Sequence, residues 1–106
     1  MANNKFLSLI GLAQKAGKVK SGEFATTEAV KSFKAFLVIV SEDASENTKK
    51  EFRNMCSFYE VPYYETSTKE TLGHAIGKDC RSSLAVCDEG FSKSLINFFD
   101  SMPEER

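Results

Sequence analysis

The sequence has no apolar run near the roughly 18 residues that a membrane-spanning helix requires. No apolar segment of signal-peptide type follows its Met-Ala-Asn-Asn-Lys start. A cytoplasmic protein without a membrane partner is the expectation. Histidine occurs once, at His74, and the three cysteines, Cys56, Cys80 and Cys87, form no CxxC pair. Odd in number and with a single histidine for company, these thiols argue against both a disulfide framework and a zinc site. Neither a GxxxxGKS/GxxxxGKT loop nor a GxGxxG fingerprint occurs, which removes the two familiar nucleotide cradles. A large positive charge is also missing, since the net charge is only −1. A generally sticky polycation is thereby excluded, but the balance is uneven. Residues 1–34 carry six lysines against two glutamates, whereas residues 35–106 carry eight basic and thirteen acidic side chains. A local basic face of the kind that meets phosphate therefore remains available.

What is present is the balance of an ordinary globular protein: 42% hydrophobic and 27% charged residues in a chain of 106. That length suits one domain over residues 1–106 with one core. Phe6, Leu9, Ile10 and Ala13 recur at helical spacing, with Asn3 or Asn4 as cap and Gly17 as a left-handed stop, so a helix is predicted over about residues 4–16. Val19-Lys20-Ser21 reads as a short strand, and Gly22 as the turn into a second helix that turns Ala25, Ala29, Val30 and Phe33 inward. Ala35–Val40 is a continuous apolar, β-branched run, the pattern of a strand covered on both faces. Asp43 is placed to cap a third helix with an inward stripe of Thr48, Phe52, Met55, Cys56 and Tyr59, ended by Pro62 before the strand Tyr63-Tyr64-Glu65. Ser67 and Glu70 form a capping box for a helix that faces Leu72, Ala75 and Ile76 inward. Ser83–Cys87 is a second buried strand, and Phe91, Leu95, Phe98 and Phe99 line a closing helix before the polar end Pro103–Arg106. The order αβαβαβαβα predicts an α/β fold with helices on both faces of one sheet.

Catalytic groups are sparse. Acid–base or nucleophilic chemistry needs convergent histidine, paired carboxylates or an activated thiol, and His74 reads as a surface or packing residue. Cys56 and Cys87 fall in apolar stripes, where a thiol acts as a small hydrophobe. Glu42-Asp43 follows the best strand and is a conceivable acidic pair for a small enzyme, but an acidic helix start explains it more simply. The junction from Lys18 to Thr27 is different. Free N–H groups at a helix start attract phosphate, Gly22 permits close approach, and Ser21, Thr26 and Thr27 supply hydroxyls.

Leu9-Ile10-Gly11-Leu12-Ala13-Gln14-Lys15-Ala16-Gly17-Lys18-Val19, then Ser21-Gly22-Glu23, Ser41–Ser45, Leu72-Gly73 and Ile76-Gly77 are not accounted for by packing alone. Over about residues 5–100 this pattern resembles the L7Ae/L30e ribosomal protein family, most closely its small bacterial ribosomal-like members. The resemblance implies a three-layer α/β/α sandwich with a small mixed sheet. It also implies a non-catalytic, bacterial RNA-binding protein for kinked, structured RNA of the kink-turn kind, with ribosomal RNA, and with it the ribosome, as the expected partner. No DNA, cofactor or metal is implied. The family reads its RNA with the start of the second helix and the loop before the last strand. Matched residue by residue, its Gly-x-Asn-Glu-Thr-Thr-Lys segment becomes Gly22-Glu23-Phe24-Ala25-Thr26-Thr27-Glu28. Gly22, Thr26 and Thr27 agree, while Phe24, Ala25 and Glu28 replace the base-reading Asn and Glu and the phosphate-facing Lys. The expected RNA-binding residues are Lys20, Ser21, Gly22, Glu23, Phe24, Thr26, Thr27, Lys31, Lys69, Lys78 and Arg81, with Lys49 near a further contact position. The three replacements also leave open a protein-interaction module on the same fold.

Overall fold

The structure, a computed structural model, describes residues 3–100. Helices and strands alternate in the expected order: α1 (Asn3–Lys15), β1 (Val19–Ser21), α2 (Glu23–Lys31), β2 (Leu37–Val40), α3 (Glu46–Tyr59), β3 (Tyr63–Glu65), α4 (Lys69–Ala75), β4 (Ser83–Val86) and α5 (Glu89–Asp100). The strands form one sheet in the order β1-β4-β2-β3. β4 runs antiparallel to both β1 and β2, and β2 pairs with β3 in parallel. The two apolar runs thus take the two central places, and every residue of β2 and β4 is buried. Phe36 precedes β2 and is exposed, and Cys87 follows β4 half-buried, so both strands are shorter than the runs. Side chains alternate across a strand, and this splits the core in two. Leu37, Ile39, Leu84 and Val86 meet Phe6, Ile10, Leu72 and Leu95 of α1, α4 and α5. Val38, Val40 and Ala85 meet Ala29, Val30, Phe52 and Cys56 of α2 and α3. The result is the three-layer α/β/α sandwich.

Several local expectations shift. α2 ends at Lys31, and its chain closes through the Phe33 N–H to the Val30 carbonyl and the Lys34 N–H to the Ala29 carbonyl. That pair of bonds is a Schellman stop, which usually places glycine at the left-handed position. Here Phe33 occupies it at φ 61°. Its ring is therefore turned out of the core, 77% exposed, edge-on to Tyr59. The inward stripe of α2 is instead Thr26, Ala29 and Val30, and Ala25 is only half-buried. The cap of α3 is Ser45, whose hydroxyl accepts the Thr48 N–H, rather than Asp43. The cap of α4 is Thr68 rather than Ser67, because Ser67 sits at φ 63° and the chain becomes extended only at Thr68. The side chains of Asn3 and Asn4 and the segment 103–106 lie outside the described residues. Among those residues no helix is long and apolar enough to cross a membrane.

Candidate nucleic-acid interface

Gly22 caps α2 at φ 94° and ψ 158°, a backbone region that suits glycine. Having no side chain, it gives the helix no cap. The first helical bond is the Thr26 N–H to the Gly22 carbonyl at 3.0 Å. The N–H groups of Glu23, Phe24 and Ala25 have no protein acceptor among the described residues. Gly22 itself is pinned to the sheet, its N–H donating to the Ser83 carbonyl at 3.0 Å. A rigidly held helix start with open donors and the positive end of the helix dipole favours an anion.

The loop before β4 is fastened to this helix start. Arg81 donates from Nε to Ser21 Oγ at 3.2 Å and from Nη1 to the Cys80 carbonyl at 2.7 Å. Its backbone N–H donates to the Lys69 carbonyl at 3.0 Å. Lys69 opens α4, and its N–H donates to Asp43 Oδ1 at 3.0 Å. Asp43 thus serves α4 across a gap of 26 residues. Its carboxyl is held below the ordinary carboxylate range, first by the nearby Ser41 hydroxyl, which makes no hydrogen bond of ordinary geometry among the described residues. Burial opposes this, and the Lys69 N–H adds a smaller pull downward. A depressed folded-state value means the stabilisation is present above the unfolded value and is lost as pH falls through the folded one. Asp43→Ala is accordingly expected to lower the urea midpoint at neutral pH, with the difference from wild type closing below about pH 4. A difference that persists unchanged into that range would show that the charge is not what matters.

Gly73 completes the arrangement. The Lys78 N–H donates to its carbonyl at 2.8 Å, and a Cβ on Gly73 would lie 2.7 Å from the Asp79 carbonyl oxygen and 2.8 Å from Cys80 Cα. The basic loop therefore lies directly on α4 at the one residue without a side chain. Sequence reading registered Gly73 only as part of a motif. The available signal was its cost, since a glycine inside a helix needs a packing reason.

Ser21, Gly22, Lys69 and Arg81 are thus brought to one end of the sheet, with Glu23 and Phe24 exposed on the adjoining turn. Lys78 is exposed on the same loop, and Thr27 is half-buried on α2. Thr26 is fully buried, and its hydroxyl has no partner among the described residues. Lys20 is exposed on β1. Lys31 is not gathered with the others, because it lies at the far end of α2, about 12 Å along the axis from Glu23. Lys49 is occupied locally, pairing with Glu46 at 3.7 Å. His74 and Glu42 are exposed, and no group of three His, Cys, Asp or Glu residues suited to a metal occurs among the described residues.

The kinship suggested by the motifs extends through this architecture. The profile of the ribosomal protein L7Ae/L30e/S12e/Gadd45 family matches residues 4–96, and the chain belongs to that family. Among its relatives is the RNA-binding protein YlxQ of Bacillus subtilis (strain 168), 40% identical over 100 residues, which cover 94% of this chain and all of that one. The RNA-binding protein YlxQ of Enterococcus faecium is 43% identical over 89 residues, 84% of this chain and 85% of the relative. A solved structure described as a protein with unknown function from Bacillus halodurans superposes with a TM-score of 0.89 at 39% identity, over 92% of this chain and 98% of that one. The 15.5 kD RNA-binding protein of Giardia lamblia shares the fold at a TM-score of 0.78 and 19% identity, over 93% and 85% of the two chains.

Proposed function

We propose that the protein is a non-catalytic RNA-binding protein that recognises kinked, structured RNA of the kink-turn type, with ribosomal RNA as the leading candidate. The observation that carries this reading is the Arg81 to Ser21 hydrogen bond at 3.2 Å, which joins the basic loop to the open start of α2. A kink brings two backbone segments close together from different directions, and bent or bulged RNA is more readable than a regular A-form groove. In this reading the N–H groups of Glu23, Phe24 and Ala25 take one phosphate, while Arg81, Lys78 and Lys69 take those of the opposing strand. Both relatives named RNA-binding protein YlxQ support it. With Phe24 and Ala25 in place of base-reading Asn and Glu, recognition rests more on shape than on base edges.

The test is a filter-binding titration against a kink-turn RNA and an unkinked duplex of equal length at two salt concentrations. Preferential, salt-sensitive binding of the kinked RNA is the expected result. Equal or absent binding would move the weight to a second reading, a protein-interaction module. That alternative is favoured by the exposed rings of Phe33 (77%) and Phe58 (79%), both edge-on to Tyr59, since grouped apolar surface marks partner sites.

A further inference from the structure

Beside the RNA-facing end, α2 and the free edge of β1 enclose an open groove of about 320 Å³, lined by Lys20, Phe24, Ala25, Glu28, Lys34 and Cys87 among others. β1 is an edge strand of only three residues, so no neighbouring strand covers this side. Phe24 forms one wall with its ring 78% exposed. Glu28 stands one helical turn further on, and residues four apart on a helix are about 5–6 Å apart at Cβ. Lys20 and Lys34 flank the groove, and Lys18 is adjacent, its carbonyl accepting the Cys87 N–H at 2.7 Å. None of these three lysines has a carboxylate partner among the described residues. The Cys87 thiol also lines the groove; burial pushes it up, while Lys20, Lys34 and Lys18 pull the other way.

An exposed aromatic face, an acceptor-only carboxylate one turn away and unpaired cations on the rim form a complementary set. The face stacks on a flat heterocycle. A carboxylate accepts from an exocyclic amine but repels a carbonyl oxygen. The cations suit phosphates on either side of a base. We propose that this groove takes one unpaired, amine-bearing nucleobase from the RNA strand flanking the kink, stacked on Phe24, with its amine donating to Glu28 and its phosphates met by Lys20 and Lys34. This assignment rests on the RNA-binding reading and adds a single-stranded subsite to it. It also gives the three replacements a shared purpose, since Phe24, Ala25 and Glu28 all line the same groove.

The experiment titrates the full chain with a blunt kink-turn RNA and with the same RNA carrying three unpaired adenosines or three uridines on either strand next to the kink. Adenosine on one of the two strands is expected to tighten binding about tenfold over the blunt RNA, with uridine clearly weaker. Lys34→Gln should reduce that gain and the salt slope of the extended RNA, while leaving blunt RNA affinity unchanged. Phe24→Leu, which keeps apolar bulk without a ring, should abolish the quenching of 2-aminopurine placed in the extension, and Glu28→Gln should erase the preference for adenosine over uridine. No gain from any extension, or an equal gain in Phe24→Leu, would overturn the subsite while leaving kink recognition intact. Failure to bind even the blunt kink-turn RNA would overturn the RNA-binding reading itself and this proposal with it.

Discussion

Gly73→Ala is expected to lower the unfolding free energy by about 2 kcal/mol and to weaken RNA binding at temperatures where the variant is still folded. Two effects oppose each other. Alanine is the better helix former by about 1 kcal/mol, and on an open helix the substitution would stabilise. Here the added Cβ would lie within 2.8 Å of Asp79 and Cys80 backbone atoms, which no rotamer change relieves. Overpacking of this kind costs about 1–3 kcal/mol and occasionally more, so steric crowding wins. Relief requires moving the loop that holds Lys78 and Arg81, which is why affinity should fall with stability. Urea unfolding with an unchanged m value measures the first effect, and titration with kink-turn RNA the second. A variant as stable as wild type with full affinity would mean that the loop does not depend on this contact.

Arg81→Ala should weaken binding of kinked RNA about tenfold and reduce the slope of log affinity against log salt by about one. Arg81 is the one expected contact residue tied by its side chain to the open helix start. Its Nε is committed to Ser21 and one Nη to the Cys80 carbonyl, which fixes the plane of the guanidinium and leaves its outer donors for phosphate. Lysine at this position keeps the charge but not the fork, so Arg81→Lys should recover the salt slope and only part of the affinity. Ser21→Ala should produce a milder loss by releasing the anchor. Lys78→Ala should lower both affinity and slope without altering folding, because Lys78 is held by its backbone alone. If the salt slope is unchanged in both Arg81→Ala and Lys78→Ala, the loop is not a phosphate contact.

The element order was legible because each strand and helix carried its own local signal. Ala35–Val40 and Ser83–Cys87 read as buried strands from apolar continuity, and the strands formed are the shorter Leu37–Val40 and Ser83–Val86. Gly22 read as a helix start from a single residue. The sheet order was not legible at all, because placing β4 between β1 and β2 depends on contacts across more than 40 residues that no local period records. The end of α2 was misread for a related reason. Apolar spacing continues to Phe33, but the chain had already closed through the Ala29 and Val30 carbonyls, leaving a bulky residue where glycine is usual. Asp43 and Ser67 looked like caps because they are the right residue types. The geometry gave those roles to Ser45 and Thr68, residues with extended backbone immediately before their helices. At the candidate site, the positions of Gly22, Phe24, Lys69 and Arg81 followed from motif matching, whereas the Arg81–Ser21 bond and the Gly73 contact did not. Both join segments far apart in sequence, and only the folded chain brings them together. Thr26 shows the converse limit, because a motif match says nothing of which side of a helix is buried.

The most direct test of kink recognition is resonance energy transfer between dyes on the two arms of a kink-turn RNA, without divalent cations so that the free RNA is mostly extended. Adding the protein is predicted to raise transfer to a saturating plateau, because binding selects the bent form, with Arg81→Ala reaching the same plateau at about tenfold higher concentration. Saturable binding with transfer left at its starting value would contradict the account, since the protein would then hold this RNA without reading its bend.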